Sequence, residues 1–158
     1  MFNDKRSGKI ALTAHCLLNQ NSRASGLAEK PCILTEIVRF LASNNIGIIQ
    51  MPCPEIVYAG VLRQPQIKEQ YNNATFRGLC RKIAKEIAYQ MRQYENKGVK
   101  VKIVIGVSGS PSCSVDNSGI FMEALHLALD ESGISVPFYN VHLKTPIMDI
   151  AMLKKLIE

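Results

Sequence analysis

The sequence predicts a single α/β domain over residues 1–158, a three-layer sandwich with helices on both faces of a mostly parallel sheet of about four strands. Two observations predict this class. Short apolar segments alternate along the chain with longer segments in which apolar residues recur every three or four positions. The short segments are almost continuously apolar, which is typical of strands buried on both faces of a sheet. A length of 158 residues fits one such domain.

Two strands and one helix are predicted in the first third of the chain. Residues 10–14 form a short apolar strand, and the polar turn formers of residues 19–26 follow as a loop. Residues 33–41 carry apolar side chains at the spacing of one helical face. The second strand, 46–51, ends at two prolines within three residues. Proline has no N–H to donate, so it can neither continue a helix nor pair with a neighbouring strand.

The longest helix is predicted over residues 75–96, because its apolar side chains repeat at three and four positions with Lys and Arg between them. Gly98 follows it as a C-terminal cap. The third strand, 99–107, comes next and ends in the tight loop 108–112. The middle of the chain therefore contributes one helix and one strand.

The last third predicts a helix over 120–129, a strand over 134–141 and a final helix that reaches residue 157. Thr145 and Pro146 suit the N-cap and the first turn of that helix. The resulting β-α-β-α-β-α-β-α order is that of a Rossmann-like or flavodoxin-like sandwich. Right-handed crossovers place all the loops that follow strands on one side of the sheet.

Composition excludes several classes of protein. Hydrophobic residues make up 47% of the chain and charged residues 20%, so disorder is not expected as the main state. The formal net charge of +6 leaves anionic partners open. Aromatic residues account for only 6%, too few for a surface that stacks single-stranded nucleic acid. No apolar run reaches the length that spans a bilayer, so no membrane partner is expected.

The five cysteines are an odd number and too few for a disulfide-built scaffold. We therefore expect free thiols and a cytoplasmic location. Three of them, Cys16, Cys53 and Cys113, each follow a predicted strand, so they belong to the edge of the sheet at which ligands bind. Cys80 lies on the apolar stripe of the long helix and is expected in the core. Cys32, beside a proline at a helix start, receives no role.

Three thiolates from three loops suit a metal centre, and we expect their sulfur atoms to lie within reach of one such centre. No C-x-x-C pair is present, which excludes a local zinc-ribbon or thioredoxin motif. Soft thiolates select zinc, copper(I) or iron–sulfur clusters. A four-iron cluster with three cysteine ligands leaves one iron open. Three unrelated buried thiols remain the alternative.

The residues around these cysteines are A-H-C-L-L at Cys16, C-P-E at Cys53 and S-P-S-C at Cys113. In this order they resemble the thiouracil desulfurase-like family over residues 9–119. The resemblance implies a 4Fe-4S cluster held by these three cysteines and the removal of sulfur from thiolated pyrimidines. It also implies that Glu55 and Ser110 lie beside the substrate. The chain resembles a divergent member, since R-A-S-G follows Ser22 where many members carry R-Y-D-G.

In this chemistry Glu55 is the expected acid–base group, with a structural carboxylate paired with Arg63 or Arg23 as the alternative. Ser110 is either a hydrogen-bond donor to the substrate or a turn former. Tyr58 and Arg63 are candidate pocket walls. His15 precedes a ligand cysteine and is expected to face the opposite side of the chain.

The backbone amides of residues 112–119 are a candidate anion site. The side chains of Ser114, Asn117 and Ser118 would add hydrogen bonds to the anion or cap the helix. The sequence does not group His126 or His142 with other candidate functional residues.

Two other functions remain open. A noncatalytic redox or sensor module would hold an iron–sulfur cluster or zinc on the same cysteines. A low-molecular-weight phosphatase requires C-x5-R, whereas Cys16 to Arg23 is C-x6-R. The expected partner of an enzyme is a small thiolated compound. A thiolated tRNA is the alternative, because the long helix carries a basic face: Arg81, Lys82, Lys85 and Arg92.

Overall fold

The core of the structure is one four-stranded parallel sheet with strand order β2-β1-β3-β4. The computed structural model describes residues 2–116 and 119–158. Its strands are β1 Lys9–Thr13, β2 Gly47–Gln50, β3 Lys100–Val107 and β4 Phe138–Val141. The predicted α/β class and parallel sheet are confirmed.

Six α-helices connect and follow these strands in the described part of the chain. They are α1 Thr35–Ser43, α2 Pro54–Ala59, α3 Lys68–Tyr71, α4 Ala74–Asn96, α5 Ile120–Glu131 and α6 Ile150–Ile157. Short 3-10 helices span His15–Leu17, Gln20–Ser22 and Pro146–Asp149. No helix within residues 2–116 and 119–158 combines the length and apolar character needed to cross a membrane.

The helices cover the sheet on both sides, as the continuous apolar strands predict. Leu12 of β1 and Val104 of β3 point into a core that α4 and α5 cover. Ala11, Ile103 and Ile105 alternate with them and point into a second core, which α1 and α6 cover. All five side chains are fully buried. The sandwich therefore has three layers.

The long helix is predicted most accurately. Its N-cap is Asn73, whose Oδ1 accepts a hydrogen bond from the Phe76 amide at 2.9 Å. Gly98 follows its C-terminal end with a φ of +82°, which is the left-handed conformation that a glycine cap supplies.

Three boundaries differ from the sequence prediction. Strand β4 begins at Phe138 rather than at residue 134, because Pro137 has no N–H to donate to the sheet. Thr145 makes no side-chain cap, and a 3-10 turn from Pro146 precedes α6. Pro54, expected only to end a strand, also begins α2, since proline fits the first turn of a helix.

Successive strands are added to the sheet on opposite sides of β1. The chain passes from β1 to β2 on one side, and β3 then pairs with β1 on the other. Loops that leave neighbouring strands in opposite directions open a crevice at the carboxyl edge of the sheet, where ligands of such folds bind. The loop after β1 carries Cys16, and the loop after β3 carries Cys113.

The loop after β3 folds back against its own strand at Gly106. The Val107 amide donates to the Cys113 carbonyl at 2.9 Å. A Cβ at Gly106 would collide with that carbonyl oxygen, and it would stand 2.9 Å from Asn140 Oδ1. Glycine is therefore required here for the close approach of two backbone segments.

We predict that Gly106→Ala lowers the free energy of unfolding by about 1–3 kcal/mol, since the cysteine loop must shift to admit a methyl group. Gly78→Ala on α4 is the matched control, because a Cβ added there would have only the end of the Arg81 side chain within 4 Å. Alanine favours a helix interior, so the control raises stability by up to about 1 kcal/mol. Urea unfolding of both variants measures the difference. Equal stabilities would contradict the close approach at Gly106.

Candidate metal and substrate site

The loops after β1, β2 and β3 form one cleft at the carboxyl edge of the sheet. Its free volume is only about 20 Å³, room for about one water molecule. The side chains that line it are His15, Cys16, Ser22, Arg23, Cys53, Glu55, Arg63, Ser110 and Cys113. The structure thus brings together the three edge cysteines, Glu55 and Ser110.

Cys16 lies in the 3-10 turn directly after β1. The buried side chain of Gln20 fixes this turn, because its Nε2 donates to the Cys16 carbonyl at 2.8 Å. The Oε1 of Gln20 accepts the Glu29 amide at 3.0 Å and so holds the long loop against the turn. Sequence reasoning missed Gln20, since a glutamine inside a turn-rich segment gives no pattern that marks it as buried.

Cys53 is the N-cap residue of α2, which places its thiol where helix amides are unpaired. The amides of Ile56 and Glu55 favour its thiolate, although burial has the larger effect and raises the pKa of the Cys53 thiol. The segment before it is fixed by the Met51 amide, which donates to the Thr13 carbonyl at 2.9 Å. Cys53 therefore has a defined position beside the end of β1.

Cys113 is held by hydrogen bonds on both sides. The Ser110 hydroxyl oxygen accepts the amides of Cys113 at 3.0 Å and Ser112 at 3.3 Å. Beyond it, the Val115 amide donates to Asn140 Oδ1 at 2.8 Å. Asn140 is a buried polar residue of β4 that sequence reasoning did not single out.

All three thiols are neutral in this environment. Burial raises the pKa of Cys16, Cys53 and Cys113, most strongly at Cys113, where the other two thiols add to the effect. Arg23 opposes the shift at Cys16 without reversing it. None of the three cysteines forms a disulfide. Each is therefore available to a metal that displaces its proton on binding.

The sulfur atoms do not form a preassembled site for a single ion. Among residues 2–116 and 119–158, no three His, Cys, Asp or Glu side chains are close enough to hold one metal ion together. The expectation that the sulfurs lie within reach of one metal centre is therefore not met for a single ion in this conformation, and for a cluster it stays a prediction. Neutral thiols held by separate loops have no attraction that draws them together. In a cluster each thiolate binds a different iron, which requires a wider spacing than one ion does.

Glu55 and Arg63 form a nearly buried ion pair at the edge of the cleft. Arg63 Nη2 lies 3.3 Å from Glu55 Oε2, and the two side chains are 12% exposed for Glu55 and 5% exposed for Arg63. The same nitrogen lies 4.0 Å from Cys53 Sγ. Arg63 Nε is buried without a hydrogen-bond partner in the described structure. The pair places a fixed positive charge beside the cysteines and orients the carboxylate.

Ser110 combines the two roles considered for it. Its oxygen accepts two backbone amides, which is the turn role. Its hydroxyl proton is not needed for those bonds, and the side chain lines the cleft. Ser110 therefore retains one donor for a ligand.

His15 departs from the sequence expectation. It lies in a 3-10 turn rather than in the strand, so strand alternation does not apply and its ring lines the cleft. Its Nδ1 lies 3.1 Å from the Met51 carbonyl, which can only accept, so Nδ1 carries the proton. The ring thereby ties the loop after β1 to the end of β2.

The remaining candidates lie elsewhere or are engaged. Tyr58 is not a cleft wall; its ring packs edge-on against Phe76 with centroids 5.2 Å apart. Cys32 is exposed, and its carbonyl accepts the Gln20 amide. Cys80 is fully buried in the core, as expected, and its pKa is raised to about 12 by burial.

Five of the amides expected to form an anion site at residues 112–119 are engaged within the protein. The amides of Ser112, Cys113, Ser114, Val115 and Gly119 all donate to oxygens within the protein. The roles considered for Asn117 and Ser118 fall on residues outside the described ranges.

Comparison with known proteins shows the family to which the chain belongs. Residues 8–123 match the family described as "Putative 2-thiouracil desulfurase", and this range contains all three edge cysteines. The chain belongs to this family. It is also 36% identical over 129 residues to the uncharacterized protein MJ0003 of Methanocaldococcus jannaschii, a match covering 81% of this chain and 82% of that protein. No solved structure matches the chain.

Proposed function

We propose that this protein is an iron–sulfur-dependent desulfurase that replaces the sulfur of a small thiolated, pyrimidine-like compound with oxygen from water. The observation that carries the proposal is the convergence of Cys16, Cys53, Cys113 and Glu55 on one cleft. The family description names the same chemistry and so supports an enzyme of this class.

The three cysteines would hold a 4Fe-4S cluster. The donor set fits such a group, because three free thiols from three loops supply soft ligands and leave one position without a protein ligand. When bound, the cluster supplies an open iron that acts as a Lewis acid toward sulfur.

Glu55 accepts a proton from the attacking water in this proposal. Its carboxylate is nearly buried and is oriented by Arg63, so it points into the cleft without free rotation. The Arg63 guanidinium stabilises negative charge that develops on the departing sulfur, and Ser110 donates its free hydroxyl proton to the substrate. These groups supply a base, a positive charge and a donor around one reacting carbon.

The substrate is proposed to be small, because short loops enclose the cleft and its free space is only about 20 Å³, room for about one water molecule. A cluster and a substrate therefore require the cysteine loops to move apart. We also propose a cytoplasmic location, because five free cysteines, one of them exposed, fit a reducing compartment.

Cys113→Ser is expected to lose the cluster, since serine is a poor ligand for iron–sulfur centres, and Cys80→Ser on α4 is the matched control that retains it.

Glu55→Gln is expected to keep the cluster and to lose roughly 100-fold in turnover, because an amide cannot accept the proton. Visible absorption of anaerobically purified variants reports the cluster, and sulfide released from 2-thiouracil reports turnover.

A Glu55→Gln variant that releases sulfide at the wild-type rate would contradict its role as the base. Wild-type protein that holds iron and labile sulfide but releases no sulfide from any thiolated base would identify a noncatalytic sensor instead.

The substrate is expected to be a free compound rather than a polymer. Sulfide release from 2-thiouracil and from thiolated tRNA is compared at about 50 and about 200 mM salt, concentrations at which phosphate contacts differ strongly in strength. We predict turnover of the free base with little dependence on salt. Turnover of tRNA alone, weakened steeply by salt, would assign the basic face of α4 to RNA binding and overturn this expectation.

A further inference from the structure

Two loops that line the cysteine cleft are joined to each other by a hydrogen bond. Ser22 and Arg23 line the cleft from the loop after β1, and Arg63 lines it from the segment between α2 and α3. Two residues beyond Arg23, the Ser25 amide donates to the Arg63 carbonyl at 3.1 Å. This hydrogen bond therefore connects two walls of the cleft.

The donor of this bond lies in a tight turn. The Leu27 amide donates to the Ala24 carbonyl at 3.0 Å, which closes a β-turn over residues 24–27. Gly26, the third residue of the turn, has a φ of +77°, whereas the φ of Ser25 is negative. A type II turn has these features, because it needs a left-handed residue at its third position. The turn therefore keeps its shape through its own backbone.

The turn is attached weakly to the rest of the protein. Residues 25–28 are exposed. Within residues 2–116 and 119–158, the backbone hydrogen bonds of segment 24–28 reach another part of the chain at Ser25 alone. The segment is next anchored at Glu29, whose amide donates to Oε1 of the buried Gln20 at 3.0 Å. Breaking the Ser25 bond therefore frees the turn without disturbing these anchors.

The other two cysteine loops are held more firmly. The loop of Cys113 packs its backbone against Gly106, and the Val115 amide beyond it donates to Asn140 Oδ1 at 2.8 Å. Cys53 is the N-cap of α2, and the preceding chain is paired with the end of β1. Of the three loops, the one after β1 is therefore the one most able to move.

A movement of this kind is required before the cysteines can hold a cluster. The free space in the cleft is about 20 Å³, room for about one water molecule. The eight atoms of a 4Fe-4S cluster do not fit into that space. One wall of the cleft must therefore open to admit it.

We propose that the turn 24–27 is a lid on the cysteine cleft, and that the Ser25–Arg63 hydrogen bond must break before a cluster reaches the cysteines. The inference rests on the proposed function for the identity of the group that enters. Arg63 connects the lid with the site, since its carbonyl accepts the Ser25 amide while its Nη2 lies 4.0 Å from Cys53 Sγ and 3.3 Å from Glu55 Oε2. A group that binds Cys53 and shifts this guanidinium therefore also shifts the residue that holds the lid.

Ser25→Pro removes this hydrogen bond and keeps the turn, because proline has no N–H and suits the second position of a type II turn. Ser25→Ala is the matched control, since it keeps the backbone amide. Iodoacetamide is applied to the reduced, metal-free full chain, and peptide mass spectrometry gives the rate at each cysteine. We expect Cys16, Cys53 and Cys113 to react about fivefold faster in Ser25→Pro than in the control, as the loss of one hydrogen bond implies.

Two cysteines outside the cleft distinguish lid opening from unfolding. Cys32 is exposed and is expected to react at one rate in every variant. Cys80 is fully buried in the core and reacts when the whole fold opens. If Cys80 reacts in Ser25→Pro, Gly26→Ala replaces that variant. An added Cβ at Gly26 has nothing within 4 Å, but alanine is strained at a φ of +77°, so the same increase is expected.

Cluster formation supplies a second readout. During anaerobic reconstitution with iron(II) and sulfide, visible absorption is expected to develop about fivefold faster in Ser25→Pro than in Ser25→Ala, because the open lid is more populated.

Equal rates in the two variants, either of modification at the cleft cysteines with Cys80 unreactive or of cluster formation, would overturn the lid. Wild-type cleft cysteines that react as fast as Cys32 would overturn it as well, since nothing would then cover them. The modification rates need no cluster. Protein that never binds iron and sulfide would contradict the proposed function, and the modification rates would still decide whether the turn is a lid.

Discussion

The parallel pairing of β1 with both of its neighbours is the constraint on which the site depends. Hydrogen bonds continue past the ends of the strands, from the Ala14 amide to the Ile105 carbonyl and from the Met51 amide to the Thr13 carbonyl, each at 2.9 Å. They fix where the chain leaves β1 and where it leaves β2. Because β3 lies on the other side of β1, the loops from all three strands begin within one small region.

The electrostatics of the cleft follow from this convergence. Three thiols enter a region that water reaches poorly, so burial keeps them protonated, and ionisation of one thiol raises the pKa of its neighbours. The effects that oppose burial are local: Arg23 lowers the pKa of Cys16, and the Ile56 amide lowers that of Cys53, whereas the Glu55 carboxylate raises the pKa of Cys53 and Cys113. A cluster that replaces thiol protons with positive iron removes the cost of these buried thiolates.

The sequence predicts the parts of the fold that depend on periodicity and on strand ends. The four strands, the long helix and the convergence of Cys16, Cys53 and Cys113 all follow from apolar patterns and from the rule that loops after parallel strands share one edge. Pro54 predicts an interruption of the chain, yet it begins helix α2, because proline also fits the first turn of a helix.

Buried side-chain contacts and short turns account for the features that the sequence does not predict. Gln20 and Asn140 hold the cysteine loops through buried amide side chains, and neither lies in a periodic pattern. His142 pairs with Asp149 across the turn after β4, where the Thr145 amide donates to the His142 carbonyl at 3.1 Å. Strand alternation does not predict the position of His15, because this residue lies in a 3-10 turn.

Iron and acid-labile sulfide measured on wild-type protein, purified without oxygen, test the central claim most directly. The account predicts about four iron atoms and about four sulfides per chain, as a single four-iron cluster requires. One zinc ion per chain without labile sulfide, or thiols that bind no metal under these conditions, would contradict it.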